Sequence, residues 1–398
     1  MPASPPADPT HDARPAPRFV SGSLLRHVAV MSGTGAIGLI AIFLVDLINL
    51  FYISLLGQQA VAAAVGFAGV VGFFQLSFCI GLMIAVAAVV APAIGAGRHA
   101  EAQRLGTVSL LLMGLTCTLL AALSYATLDP LLSLLGASGE TKTQAHNYLQ
   151  ISLASTPLLG ASMACSALLR AAGDARRAMN VTLIGAVITA VLDPILIFAL
   201  HLDLQGAAIA AVLARLCMLL IGLHGVTRAH RLLGPLQADS LGADNRRLCQ
   251  VAGPAILANL ATPCGAAFVT HAMAQFGPAA IAGQATIERL TPVAFGLVYA
   301  LSGAVGPIIG QNLGAGRLDR VQQTLRSSLL FMTLVVGAAW LLLALGQALI
   351  IRAFSAEGLT AELIALFCSL LAASFFFEDR AGCCFDLQPQ VAQHGQAG

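Results

Sequence analysis

Ten long apolar segments alternate with short polar ones along this 398-residue chain. A helix needs about 20 apolar residues to cross the ~30 Å hydrocarbon core of a bilayer. Several segments are longer than that, so we expect tilt or extension into water. The pattern predicts an all-α membrane protein with about 10 transmembrane helices. The predicted spans cover residues 29–56, 62–95, 106–128, 146–169, 179–200, 206–226, 250–274, 279–311, 324–348 and 360–377.

The chain contains an internal repeat. The tetrapeptide GAGR occurs at Gly95–Arg98 and again at Gly314–Arg317, an offset of 219 residues, and each copy follows an even-numbered span. Both copies therefore lie on the same side of the membrane, which indicates two parallel halves related by an axis along the membrane normal. We predict a first lobe of six spans at 21–226, a linking loop at 227–248 and a second lobe of four spans at 249–377.

The ends of the chain are polar. Residues 1–20 are rich in proline and predict a disordered tail, and residues 378–398 show no span pattern. The repeat offset would carry a complete second lobe well beyond residue 398. We therefore interpret the polar tail as the product of a truncation or frameshift, with a natural ten-span variant as the alternative.

Composition and charge agree with a membrane protein. The chain is 58% hydrophobic and 10% charged, whereas soluble domains carry about 25% charged residues. One set of junctions carries fifteen arginines, and the opposite set carries only Lys142 and Arg352. By the positive-inside rule the N-terminus is cytoplasmic, and we expect a multi-pass protein of the plasma (inner) membrane. The fifteen arginines are Arg14, Arg18, Arg26, Arg98, Arg104, Arg170, Arg176, Arg177, Arg228, Arg231, Arg246, Arg247, Arg317, Arg320 and Arg326.

Two carboxylates lie at membrane depth. Asp46 is near the middle of the first span, and Asp193 lies in the fifth span directly before Pro194. A carboxylate in the bilayer core costs roughly 2.5–3.5 kcal/mol on insertion scales, so it usually faces protein or water. Both fall in the outer half of the first lobe, so they could share one pocket. Two carboxylates in one apolar pocket resist being charged together, which favours binding a proton or another cation.

Neighbouring polar groups extend this candidate cation site. Thr189 lies one turn before Asp193, and Asn49 lies three residues after Asp46. Pro194 has no backbone N–H, so the carbonyl of Ala190 loses its helical partner. The alternative is a structural kink in which the aspartate is satisfied locally.

Further polar residues lie within the spans, as possible cavity or substrate contacts. They are Tyr52, Gln75, Asn259, Glu288 and Arg289, with Arg215 similarly placed. Tyr52 also fits an interfacial anchor, and Gln75 and Asn259 also fit interhelical hydrogen bonds. Glu288 and Arg289 are adjacent in a helix and therefore do not face each other.

The sequence gives little indication of a metal, dinucleotide, catalytic or nucleic-acid site. There is no HExxH motif, and the nine cysteines and nine histidines show no ligand spacing, so we expect no metal and no cofactor beyond a coupling ion. GTGAIG at Gly33–Gly38 follows no strand, so small residues at a helix contact are the better interpretation than a dinucleotide site. No Ser/His or GxGD constellation indicates an enzyme, and a net charge of +2 gives no indication of nucleic acid.

The ordered motifs resemble those of the MATE (multidrug and toxic compound extrusion) transporters. The resemblance covers about residues 20–377. It rests on VDLINLFYISLLG at Val45–Gly57, the GAGR copies, LLRAAGDARRAMN at Leu168–Asn180, LDPILIF at Leu192–Phe198, QGAAIAAVLAR at Gln205–Arg215 and ALSGAVGPIIGQNLGAGR at Ala300–Arg317.

This resemblance implies two facing lobes of six helices each, of which the last two helices are missing here. It implies export of cationic or amphipathic compounds in exchange for H⁺ or Na⁺, by a monomer in the lipid bilayer. The family's first-lobe cation site falls on Asp46 and Asp193. Many relatives have asparagine where this chain has Thr189, which favours H⁺ over Na⁺. The alternatives are a lipid-linked oligosaccharide flippase of the same superfamily, which would favour an arginine-lined cavity, and a truncated transporter without function.

Overall fold

The computed structural model describes residues 17–55, 59–353 and 356–375, and within these ranges the chain is helical. Two π-helical turns follow α7 and α8, at Ile195–Ala199 and Gly225–Ala229, and a 3₁₀ turn at Leu371–Ser374 follows α12. In the described ranges the helices are α1 (Leu24–Leu55), α2 (Gln59–Gly95), α3 (His99–Ala126), α4 (Leu128–Leu134), α5 (Gly139–Ala154), α6 (Thr156–Ala171), α7 (Ala175–Pro194), α8 (Asp203–His224), α9 (Ala238–Ala274), α10 (Pro278–Gly314), α11 (Leu318–Ala353) and α12 (Gly358–Ser369).

Eight helices in the described ranges are long and apolar enough to cross a membrane. Helices α5 and α6 together form a ninth candidate span, bent by 45°. The predicted span at 146–169 corresponds to this bent pair. The chain breaks at Ser155, and Pro157 lies in the first turn of α6, where its missing N–H costs nothing. The tenth predicted span corresponds to a shorter apolar helix at Gly358–Ser374.

The predicted repeat is present in the backbone. Helices α2 and α10 both contain 37 residues and both end at the first glycine of a GAGR motif. Gly97 and Gly316 share a φ of +71°, and Gly139 and Gly358 share a φ of +55°. These left-handed conformations favour glycine. The two halves therefore use the same turns in the same register.

The first helix of each lobe also packs against the opposite lobe. The core of the first lobe includes Leu248 and Val251 from the beginning of α9. The core of the second lobe includes Val28 and Met31 from the first half of α1, together with Phe19. Helix α9 is thus buried mainly against the first lobe, while α1 packs against both α7 of its own lobe and α10 of the second lobe. This shared burial holds the lobes together.

The lobes meet at one end of the bundle, which we name the arginine-rich end. It is formed by the turns at 96–98, 172–174 and 315–317 and the loop at 230–237. There a Cβ on Gly95 would overlap the backbone of Gln311, and one on Gly314 would overlap the backbone of Pro92. Toward the other end of α2, a Cβ on Gly66 or Gly72 would have no neighbour within 4 Å. The lobes are less tightly packed at the far end of α2, and the space there is the interlobe cleft. Nearer its middle, α2 still lies against α9, where a Cβ on Gly81 would overlap the backbone of Ile256.

Gln311 joins three parts of the chain at this end. Its Oε1 accepts a hydrogen bond from the backbone N–H of Phe19 at 3.0 Å, and its Nε2 donates to the carbonyl of Ala171 at 2.6 Å. Arg320 Nη2 donates to the carbonyls of Phe19 at 3.0 Å and Gly22 at 3.1 Å. The segment before α1 is thereby held against both lobes.

The segment between the lobes is largely ordered by contacts with α3. Residues 238–248, within the predicted linking loop, form the first turns of α9. Arg104 on α3 donates to both carboxylate oxygens of Asp244, at 2.6 and 3.1 Å, and Asp244 is only 2% exposed. This bidentate pair fixes the start of the second lobe on the first.

Candidate functional site

Asp193 is completely buried at the end of α7. Its exposure is 0%, and neither carboxylate oxygen has a hydrogen-bond partner among the described residues. Pro194 follows directly, and the helix continues as a π-helical turn in which the N–H of Leu200 donates to the carbonyl of Ile195 at 3.0 Å. A buried carboxylate without a partner is costly unless it binds a proton or a cation.

Asp46 lies on α1, which packs against α7. It is within electrostatic range of Asp193, but its own side chain is exposed. Asn49, one turn further along α1, is half-buried, and its Oδ1 is inaccessible to solvent with no hydrogen-bond partner among the described residues. The first lobe therefore contains two acidic groups near each other. It also contains buried oxygen atoms, on Asp193 and Asn49, that can still accept a hydrogen bond or bind a cation.

Thr189 and Tyr52 flank these groups. The hydroxyl of Thr189 donates to the carbonyl of Gly185 at 3.1 Å, which leaves its lone pairs able to accept a proton donor or bind a cation. The Tyr52 ring packs edge-on against Phe198, with centroids 5.9 Å apart. This contact ties α1 to the π-helical turn that follows Asp193.

Tyr148 is a residue that the sequence analysis missed. It lies on α5, is half-buried and interacts electrostatically with Arg215, Asp193 and Asp46. Arg215 on α8 donates through Nη1 to the carbonyl of Ser152 at 2.9 Å and to the hydroxyl of Ser155 at 2.6 Å. The arginine thus satisfies the free end of α5 at its bend.

We name this group of residues the N-lobe polar centre: Asp46, Asn49, Tyr148, Asp193 and Arg215. A signal for Tyr148 does exist in the sequence, because residues 148, 152 and 155 share one face of a helix. That face turns toward Arg215, which lies in an apolar span and needs acceptors.

The other predicted cavity residues are engaged elsewhere. Gln75 is buried, where its Nε2 donates to Ser124 Oγ at 3.4 Å and its Oε1 accepts from Thr156 Oγ1 at 3.2 Å. Asn259 donates to the carbonyl of Ala255 in its own helix at 2.8 Å. Glu288 is exposed and accepts from Gln284 Nε2 at 3.2 Å. Arg289 belongs to α10, but its side chain lies outside the described part of the structure.

Two related helical lobes that meet at one end, with a carboxylate buried at membrane depth inside one lobe, have the architecture of a membrane transporter. The MatE family model matches residues 36–195 and 254–378, and the chain belongs to this family of MATE transporters. The family consists of transporters and not of enzymes, and the chain is a multi-pass membrane protein with the family's two-lobe helical fold.

Individual relatives support the same assignment. The chain is 33% identical over 319 residues to a FAD transporter of Shewanella oneidensis, a match that covers 79% of this chain and 70% of the relative. It is 23% identical over 346 residues to the multidrug export protein MepA of Staphylococcus haemolyticus, covering 85% and 75% of the two chains. A crystal structure of the Vibrio cholerae MATE transporter VcmN superposes with a TM-score of 0.86 at 26% identity, covering 92% of this chain and 83% of VcmN.

Proposed function

We propose that this protein is a secondary active transporter that exports amphipathic small molecules in exchange for H⁺ or Na⁺ bound at the N-lobe polar centre. The observation that supports this proposal most directly is Asp193, whose carboxylate is fully buried and has no hydrogen-bond partner among the described residues. A cation at Asp193 would neutralise a charge that the apolar lobe otherwise cannot tolerate. Asp46, exposed and within electrostatic range, would pass the ion between solvent and Asp193.

Both candidate ions fit the residues present. A proton would neutralise the Asp193 carboxylate directly. Na⁺ prefers oxygen ligands, and the two oxygens of Asp193 and the Oδ1 of Asn49 have free acceptor capacity. Inward movement of one charge across 100 mV yields about 2.3 kcal/mol, and one pH unit adds about 1.4 kcal/mol. Either gradient is sufficient for modest uphill export.

We place the arginine-rich end on the cytoplasmic side of the plasma membrane, as the positive-inside rule predicts. The cleft between the lobes then opens outward, and the contacts of Gly95 and Gln311 close the cytoplasmic side. Export would require these contacts to separate so that a molecule can enter from the cytoplasm. We expect a monomer to perform this cycle, since one chain contributes helices to both lobes.

Cationic and amphipathic drugs are the first candidate substrates, as the multidrug exporters among the relatives suggest. A flavin nucleotide is a second candidate, because the relative that is 33% identical transports FAD. The two candidates differ in charge, so the residues that line the cleft should discriminate between them.

The proposal is tested by efflux from cells that express the chain. We expect the chain with both aspartates to export a cationic dye against its gradient, and Asp46→Asn and Asp193→Asn each to abolish this export. Asp239→Asn, an exposed position at the start of α9, is the matched control and should export normally. Equal efflux from all four proteins would falsify the ion-site assignment.

A further inference from the structure

Arg170 places a cation between the two lobes. It lies in the last turn of α6, and its Nη2 is 2.9 Å from the sulfur of Met83 on α2. Its Nη1 is 3.6 Å from the position that a Cβ on Gly303 of α10 would occupy. The guanidinium therefore lies where α2 of the first lobe, α10 of the second lobe and α6 converge.

This position is the floor of the interlobe cleft. Met83 lies 12 residues before the end of α2 and Gly303 lies 11 residues before the end of α10, so the two backbone positions beside the guanidinium are about 16–18 Å from the ends of their own helices at 1.5 Å per residue. Below it the lobes pack tightly, as at Gly95 and Gln311. Farther along, α2 still touches α9, where a Cβ on Gly81 would overlap the backbone of Ile256, and beyond that contact a Cβ on Gly72 or Gly66 would have no neighbour within 4 Å.

The guanidinium lacks an acidic partner among the described residues. Its five N–H groups are strong donors, yet the one hydrogen bond that the described residues give it ends on the thioether sulfur of Met83, a weak acceptor. Arg215, by contrast, is bound to a carbonyl and a hydroxyl oxygen. Arg170 is half-buried, so part of this residue remains accessible.

We infer that Arg170 is an anion-binding residue at the floor of the cleft, and that it takes the phosphate group of an exported, phosphate-bearing aromatic molecule. A guanidinium presents its donors in a planar fork that matches a phosphate, and it is favoured over lysine where such groups are bound. A phosphate would supply the acceptors that Met83 does not. The inference rests on the proposed export function and assigns that function to an anionic class of substrate, with a flavin dinucleotide as the probe.

The binding of two flavins to the purified protein in detergent tests whether the Arg170 guanidinium recognises a phosphate group. FAD and riboflavin share the same ring system, but only FAD carries phosphates, and both can be followed by quenching of flavin fluorescence. We expect Arg170→Gln to weaken FAD binding by about tenfold to a hundredfold, the range of a lost charge-assisted hydrogen bond, and to leave riboflavin binding unchanged. Equal FAD affinity in both proteins would overturn the inference.

Gly303 offers a second variant that leaves Arg170 in place. At 3.6 Å, the Cβ position meets the guanidinium at ordinary contact distance, so a side chain fits without displacing backbone. Gly303→Asp should give Arg170 an internal carboxylate and compete with the phosphate, so that FAD binding falls as in Arg170→Gln. Gly303→Asn has the same size without the charge, and we expect it to retain most of the FAD affinity. Equal FAD binding by these two variants would contradict the inference even if Arg170→Gln fails to fold.

Transport in reconstituted vesicles separates this inference from the function on which it rests. If the wild type exports neither FAD nor a cationic dye under any ion gradient, the proposed function fails. If the dye is exported and FAD is neither bound nor exported, the function stands and the anion site is refuted. Export of FAD that is lost in Arg170→Gln, with riboflavin binding unchanged, supports both.

Discussion

Gly95 of the first lobe and Gln311 of the second lobe lie in direct backbone contact, so close that a single added methyl group could not fit between them. The symmetry-related contact joins Gly314 to the backbone of Pro92. Because backbone atoms form both contacts, no side-chain rotation can relieve an added Cβ. The repeated GAGR glycines are therefore required for the lobes to close at the arginine-rich end.

We predict that Gly95→Ala holds the lobes apart at this end. Spin labels at the exposed positions Ala96 and Leu318 would report the separation by double electron–electron resonance, in a background without the exposed Cys249 and Cys264. The variant should show a longer distance than the wild type and reduced export. Gly114→Ala is the control, because a Cβ there meets nothing within 4 Å. An unchanged distance in Gly95→Ala would refute the role of this contact in closure.

Much of the fold could be predicted from the sequence. The apolar segments predicted the membrane-spanning helices, and the offset of the repeat predicted two related halves. The turns at Gly97 and Gly316 adopt the same conformation, as the repeated motif implied. The bend at Ser155 was missed because hydropathy gives the length of an apolar segment and not the direction of its helix axis. Ser155 and Pro157 are a helix-start signal, but membrane spans also accommodate proline, so the signal alone does not reveal a break.

Part of the candidate site could be predicted, because a charged residue within an apolar segment is easy to recognise. Asp46 and Asp193 stand out for that reason, and the structure brings them into electrostatic range. Tyr148 did not stand out, because α5 is polar and only the packing of Arg215 against its end reveals it. Arg170 lies just beyond the predicted span at 146–169 and counted as a junction residue. Its long side chain extends toward α2 and α10. The spacing of residues along α6 alone cannot predict this contact between lobes.

We predict that Na⁺ stabilises the folded protein through Asp193 if Na⁺ is the coupling ion. A ligand at 100 times its Kd stabilises the folded state by about 2.7 kcal/mol. Thermal unfolding in detergent should therefore shift upward when NaCl replaces choline chloride at constant ionic strength. The shift should be absent in Asp193→Asn and retained in Asp239→Asn. A wild type that responds equally to both salts would exclude Na⁺ binding at this carboxylate and leave H⁺ as the coupling ion.

Gly160 gives a test of packing inside the first lobe. A Cβ on this residue of α6 would overlap the sulfur of Cys117 on α3, which is fully buried and 3.5 Å from the sulfur of Cys79. Overpacking of this kind typically costs about 1–3 kcal/mol. We predict that Gly160→Ala lowers the unfolding temperature and that adding Cys117→Ala restores most of it. If the double variant does not recover the unfolding temperature, then the backbones of α3 and α6, and not the Cys117 sulfur, prevent a side chain at residue 160. Gly185→Ala is the comparison, since the flexible end of Met218 can move aside there.

His230 and Asp174 provide the last prediction, at the arginine-rich end. Asp174 caps α7 by accepting a hydrogen bond from the N–H of Arg177 at 3.1 Å, and its other oxygen accepts from Arg177 Nη1 at 2.8 Å. His230 Nε2 lies 2.9 Å from that same oxygen, and both Asp174 and His230 are buried. Burial raises the pKa of Asp174, but the hydrogen bonds from His230 and Arg177 outweigh it and the pKa is lowered overall. A carboxylate whose pKa is lowered by folding stabilises the protein above its ordinary pKa of about 3.9, and this contribution is lost as the pH falls through the lowered value.

Replacing His230 removes one of these hydrogen bonds and leaves a buried carboxylate oxygen less well satisfied. We expect His230→Ala to cost about 1.5–3 kcal/mol at pH 7, the range for a hydrogen bond to a charged group. The difference from the wild type should begin to shrink below about pH 4, as Asp174 is protonated in the unfolded chain, and should be lost as the pH falls through the lowered pKa of the folded protein. His224→Ala, at an exposed position of α8, should unfold like the wild type throughout. A destabilisation by His230→Ala that is the same at pH 7 and in acid would mean that the imidazole acts by packing alone and not through the charge of Asp174.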